Sequence, residues 1–313
     1  MQLHIPAPAV RASGYSIKEG SPEFDDVGIG LDEAEALGVD VVELPIYAWH
    51  LIVEGRILDT RLKDLQRALA GRELGYTAHG ALAINLMDLP DRLPRHEKVL
   101  AANIEIAAAV GARHLVMHTG FVRDPEDDIE VAYSRQRDAL ARAGDHAASL
   151  GVTLCVENIF RFIHARETAT PSKLAGELAA IDHPSVKATL DVSHAYIRCT
   201  DARLDPIAEM AVLAPHVAHF HLHDSFGRPN EGRPGDIWIY HPAEAVAFGE
   251  GDLHLPIGWG SIDWDAVIQA VRPEPGAVAI LELNQAHWRE LKGQIPVLQA
   301  LAARFQPGLA TAA

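Results

Sequence analysis

Cysteine is nearly absent from this chain: Cys155 and Cys199 are the two in 313 residues. One pair excludes a disulfide-stapled scaffold, and Cys155 sits inside an apolar run where a small thiol is ordinary packing. No stretch approaches the ~20 apolar residues that a bilayer span requires, so no membrane role is expected. Basic charge is scarce as well, with 27 Lys and Arg against 43 Asp and Glu and a formal net charge of −16. That balance argues against a nucleic-acid partner, although carboxylates that neutralise bound cations would account for part of it. The opening residues Met1-Gln2-Leu3-His4-Ile5-Pro6 lack a basic segment followed by a long apolar one, so no secretory signal is expected and a cytoplasmic setting is. A dinucleotide fingerprint is missing too: Gly28 and Gly30 stand without a third glycine or a clear preceding strand, and no nucleotide cofactor is expected.

What the chain does have is apolar material in short, regularly spaced runs. A hydrophobic fraction of 48% and a mean hydropathy of +0.02 describe a globular chain with ample core. Helical stretches that stop at glycine precede several of the runs: residues 31–37 end at Gly38 before Val39 to Leu44, a helical face through Leu100, Ile104 and Ala107 ends at Gly111 before Arg113 to His118, and residues 139–150 end at Gly151 before Val152 to Glu157. Further strands are expected within Val10 to Ile17 and at Tyr76 to His79, Val186 to Asp191, Val217 to His221 and Ala277 to Leu283. Further helices are expected about Ser172 to Ala180, Ala202 to Leu213, Trp264 to Val271 and Trp288 to Ala303. Eight Val/Leu/Ile-rich strands alternating with helices predict an α/β fold, a (β/α)8 TIM barrel, formed by one domain over residues 1–313.

Six of those runs finish on a histidine or a carboxylate: His79, His118, Glu157, Asp191, His221 and Glu282. At average usage roughly one residue in seven is acidic or His, so six such endings have a chance on the order of one in a hundred thousand, and a thousandfold discount for choice of frame leaves them improbable. In a closed barrel the strand C-termini converge on one face, which is where active sites sit. Glu157, Asp191, His221 and Glu282 together make a mostly oxygen donor set suited to a divalent ion, Mn²⁺, Mg²⁺, Co²⁺ or Zn²⁺. Without a cation, three clustered carboxylates would repel one another.

The segments Val156-Glu157-Asn158, Thr189-Leu190-Asp191-Val192-Ser193-His194-Ala195, His219-Phe220-His221-Leu222-His223-Asp224-Ser225 and Ile280-Leu281-Glu282 resemble, in this order, the xylose isomerase-like superfamily of TIM barrels. That superfamily holds sugar isomerases, ketose 3-epimerases, inosose dehydratases and the endonuclease IV family. Resemblance to the epimerase branch implies one divalent metal on Glu157, Asp191, His221 and Glu282, with Glu157 and Glu282 moving a proton off and onto carbon through an enediolate of a carbohydrate-like substrate, and His194 holding a substrate oxygen. Resemblance to endonuclease IV implies a zinc cluster: Asp252-Leu253-His254 followed by Leu255-Pro256-Ile257-Gly258 matches that family's Asp-x-His pair, and His79, His118 and His194 match its further zinc ligands. The chain departs from the nuclease pattern at His118-Thr119-Gly120, where the family has His-Pro-Gly, and at Trp259, where it has Glu.

Several other residues acquire expectations. Asn158 and Arg161 follow a ligand and are read as substrate contacts; Glu43, on the second strand, is read as lining the pocket. Residues 224–262 form a long loop after strand seven, read as a lid whose Arg228 and Arg233 hold an anionic group while Trp238, Tyr240 and Trp259 exclude water, or else as a contact within a homo-oligomer. His223, His241 and His287 receive no role.

Overall fold

The computed structural model describes residues 8–20, 24–162, 164–230 and 242–308. Eight parallel strands close into a barrel: β1 (Val10–Ser16), β2 (Val41–Leu44), β3 (Gly75–His79), β4 (Ala112–His118), β5 (Thr153–Glu157), β6 (Val186–Asp191), β7 (Val217–Leu222) and β8 (Ala277–Leu281). Each pairs with its sequence neighbours, and β1 seals the ring against β8. Gly14 is what lets β1 approach β2 so closely, since a Cβ there would lie 1.6 Å from the Val41 carbonyl oxygen.

Helices pack outside the ring. Among them are α1 (Asp25–Leu37), which ends on Gly38 at φ 68°, α2 (Pro171–Ile181), α3 (Val192–Ala202) and α4 (Pro206–Leu213). The Thr170 hydroxyl caps α2 by accepting from the Lys173 amide at 3.3 Å, with Pro171 in the first turn where its missing N–H costs nothing. One expectation is corrected here. A single helix from about Ala202 to Leu213 is expected, whereas two are present: α3 begins immediately after β6, because the Asp191 carboxylate caps it, and breaks at Arg203 in the left-handed region, and α4 starts only at Pro206.

The main apolar core lies between the sheet and the helices, and includes Leu31, Ile104, Leu140, Leu190, Phe220 and Leu298. Inside the ring the apolar clusters are small, one of Val41, Val278 and Ile280 and another of Val116, Cys155 and Ala218. Cys155 is thus a packing residue, its thiol pushed up by burial. Register levels the strand ends: His118 lies opposite Glu157, and Asp191 opposite His221. Among the described residues no helix is long and apolar enough to cross a membrane.

Candidate metal centre and active site

Successive side chains of a strand point to opposite faces, so alternate residues enter the barrel. Along β7 that brings His219, His221 and, just beyond the strand, His223 to one side; along β4 it aligns His114, Val116 and His118. The six strand-end residues predicted from sequence converge at the C-terminal mouth, joined by His194, Asp252 and His254.

Their donor atoms fall into groups, each within 4.8 Å, the first two sharing Glu157: Glu157, Asp191, His221 and Glu282; His79, His118 and Glu157; and His194, His223, Asp252 and His254. In the first, Nδ1 of His221 lies 3.1 Å from Oε1 of Glu157 and 3.3 Å from Oε2 of Glu282. In the second, Oε2 of Glu157 faces Nε2 of His79 at 3.3 Å and Nε2 of His118 at 3.5 Å. Glu157 is therefore shared, one oxygen to each group. In the third, Oδ2 of Asp252 lies 2.7 Å from Nε2 of His254 and 3.1 Å from Nε2 of His194. His223, which sequence reasoning left without a role, joins it by stacking on His254 at 4.0 Å between centroids, with Nε2 2.9 Å from Oδ2 of Asp191. Its two-residue spacing from His221 is the signal that would have found it.

Several polar atoms here are buried without a hydrogen-bond partner, among them Oε2 of Glu157, Oδ1 of Asp252 and Nδ1 of His118. Leaving a buried oxygen unpaired costs free energy, and a divalent cation between the donors satisfies it. The residues present fit such an ion. Charge is already arranged for it. Burial pushes Glu157 up, but the His221 charge, together with contacts from His194, His221 and His79, holds it well below the usual carboxylate range. Burial likewise opposes ionisation of Asp252, which His254 and His194 hold low. His254 is driven the other way: burial lowers it, Asp252 outweighs burial, and the result is about 9. His118 is the exception, since burial prevails and lowers it to about 4, leaving a neutral imidazole ready to donate its lone pair.

Three residues expected to touch substrate are otherwise engaged. Asn158 is buried and clamps β6: its amide donates to the Asp191 carbonyl at 2.9 Å and its oxygen accepts from the Asp191 amide at 3.0 Å. Arg161 grips Asp201 through two bonds of 2.9 Å. Glu43 is 0% exposed, with Oε1 3.0 Å from Nε2 of His221. In the loop after β7, Arg228 donates to the Phe248 carbonyl, and Arg233, Trp238, Tyr240 and His241 lie outside the described residues. Trp259 is half exposed and meets His287 edge-on. Asp224 organises the described part of this loop, its carboxylate accepting from the amides of Gly258 at 2.8 Å and Ile262 at 3.3 Å and from the Trp264 indole at 3.3 Å. Two aromatic rings border the donor groups: Tyr47 edge-on to His79 and Phe160 edge-on to His194.

Comparison with known proteins places this architecture among relatives. A family model described as "Xylose isomerase-like TIM barrel" matches residues 31–301. Proteins named "Probable endonuclease 4" from Mycobacterium bovis (strain BCG / Pasteur 1173P2) and Mycobacterium tuberculosis (strain ATCC 25177 / H37Ra) are each 26% identical over 258 residues, 80% of this chain and 88% of theirs. Among solved structures, a D-tagatose 3-epimerase-like protein superposes with a TM-score of 0.69 at 17% identity, covering 93% of this chain and 98% of its own. A D-psicose 3-epimerase solved in the presence of D-fructose gives 0.65 at 15% identity, covering 95% and 100%. A Thermus thermophilus protein soaked with ZnCl2 gives 0.66 at 20% identity, with the same coverage. At these identities the structural likeness shows the fold.

Proposed function

The chain belongs to the xylose isomerase-like TIM-barrel family, and from that premise we propose that it is a divalent-metal-dependent isomerase or epimerase acting on a sugar, a sugar phosphate or a related polyol or keto compound. The observation that carries this reading is the pair of carboxylates that meet at Nδ1 of His221, Oε1 of Glu157 at 3.1 Å and Oε2 of Glu282 at 3.3 Å, with Asp191 completing the group.

A divalent ion held by Glu157, Asp191, His221 and Glu282 would polarise a substrate carbonyl and the adjacent hydroxyl. Removing a proton from the carbon beside that carbonyl needs a base on one face, and returning it on the other needs an acid. Glu157, which ends β5, and Glu282, just past the end of β8, supply that pair. His194 and His254 would offer contacts to substrate oxygens, and Tyr47 and Phe160, whose rings meet His79 and His194 edge-on, would help keep water from the reacting carbon. Arg161 and Arg228 are committed to protein oxygens, which favours a small polyhydroxylated substrate over a polyanion.

A second reading is multi-metal phosphodiester hydrolysis. It is favoured by one specific observation, that Glu157 is shared between two donor groups while His194, Asp252 and His254 belong to a third. Ions so clustered would clamp attacking and leaving oxygens. The experiment that separates the two is metal content per chain on protein purified without added metals or chelators, followed by a ketose panel in deuterated water and by abasic-site duplex. One ion with deuterium incorporation at carbon supports the isomerase or epimerase. Two or three zinc or iron ions, with cleavage lost on chelation and restored by Zn²⁺, overturn it in favour of the hydrolase.

A further inference from the structure

Three histidines at the mouth share one arrangement. Nδ1 of His79 lies 3.1 Å from the Gly80 carbonyl while Nε2 faces Glu157; Nδ1 of His194 lies 3.1 Å from the Asn158 carbonyl, with Oε1 of Glu157 also at 3.2 Å, while Nε2 faces Asp252; Nδ1 of His254 lies 3.2 Å from the Glu282 carbonyl while Nε2 faces Asp252. A carbonyl can only accept, so each Nδ1 carries a hydrogen and Nε2 is the nitrogen that would give its lone pair to a cation. His221 is turned the other way. Its Nδ1 faces Glu157 and Glu282, and its Nε2 lies 3.0 Å from Oε1 of Glu43. The anchor here is a carboxylate, not a backbone oxygen.

We propose that Glu43 is a positioning residue that fixes the tautomer and orientation of His221, keeping the hydrogen on Nε2 and Nδ1 free for the ion. The inference rests on the donor set of the proposed metal-dependent reading and is independent of which reaction that set performs. Glu43 is itself held at three points: the Thr77 hydroxyl donates to Oε2 at 3.1 Å, His219 lies 3.0 Å from the same oxygen, and His221 occupies the other. Both imidazole contacts are 3.0 Å long but bent off the ring N–H axes, so the pairing is electrostatic. An anionic partner behind a ligating imidazole makes the ligand more basic than a carbonyl would, and removing such a partner typically weakens metal affinity 10- to 100-fold. Complete burial explains why Glu43 acts through His221 and not on substrate.

The test uses the full chain, stripped of metal and titrated with Zn²⁺. In wild-type protein carrying ¹⁵N-histidine, the zinc-loaded spectrum is expected to show His221 protonated at Nε2 and metallated at Nδ1; the opposite pattern overturns the proposal, and this measurement needs no variant to fold. For Glu43→Gln, the dissociation constant at the His221 site is expected to rise about 10- to 100-fold. Val278→Ala, a packing change in the same barrel interior, is expected to leave it within about threefold and controls for general loosening. An unchanged constant in Glu43→Gln overturns the proposal, as does loss of one whole ion per chain with the remaining affinities intact, which would make Glu43, His219 and His221 a metal site in their own right. Weakened zinc binding in a protein without isomerase activity would uphold the role of Glu43 while overturning the proposed reaction.

Discussion

Glu157→Gln is the substitution that asks most of the proposed site. The carboxylate is buried among His79, His118, His194 and His221, at distances of 3.1–3.5 Å, so the amide keeps the volume and loses the charge. Breaking a buried ion pair commonly costs about 3–5 kcal/mol when the partner is left charged. Here the partners are imidazoles, which shed a proton instead, and the variant is expected to fold. Activity is another matter. A positioned general base contributes about 10²–10⁴ in rate, and Glu157 also belongs to two of the candidate donor groups, so hydrogen–deuterium exchange at the substrate carbon is expected to fall about 10³- to 10⁴-fold. At 1.36 kcal/mol per decade that is about 4–5.5 kcal/mol of transition-state stabilisation. The assay is deuterium incorporation by mass spectrometry, on protein shown by circular dichroism to be folded and saturated with metal. Exchange within tenfold of wild type would refute the assignment of Glu157 as base and the two-carboxylate reasoning with it.

Further outcomes follow from the ionisable groups of the mouth and from the packing of the barrel. In metal-free protein, His254 is raised above its unfolded value of ~6.5 to about 9 by Asp252, so the stability this pairing contributes is full below ~6.5 and is lost as pH rises through about 9. The lowered carboxyls of Glu157, Asp191 and Asp252 contribute stability above their unfolded values of ~4 that is lost as pH falls through the depressed ones. Thermal melts with chelator should therefore decline from pH 6.5 to 9, whereas zinc affinity should rise over that range as the ion displaces the His254 proton; a flat affinity would remove His254 from the donor set. Gly14→Ala should destabilise by about 3 kcal/mol or more, because the new Cβ overlaps the Val41 carbonyl and backbone cannot yield, while Gly176→Ala, on an exposed helical position with open space, should stabilise by about 0.5–1 kcal/mol; equal melting temperatures would refute the close β1–β2 approach.

The sequence by itself determined the barrel and the residues of its mouth. Short apolar runs separated by helices ending at glycine announce βα units, and His79, His118, Glu157, Asp191, His221 and Glu282 are legible because closure brings every strand C-terminus to one face whatever the intervening sequence. Depth was not legible. Alternation says which face a side chain takes but not whether it lies at the rim or on the floor, so Glu43 reads as pocket-lining although it sits beneath His221, and His219 carries no sign that it holds Glu43 from below. Partner choice was hidden for a related reason. Asn158 and Arg161 follow a ligand in the chain, yet their hydrogen bonds go to Asp191 and Asp201, 33 and 40 residues on. Such pairings, and the sharing of Glu157 between two donor groups, depend on distances that exist only once eight strands are in register, and tertiary structure alone fixes those.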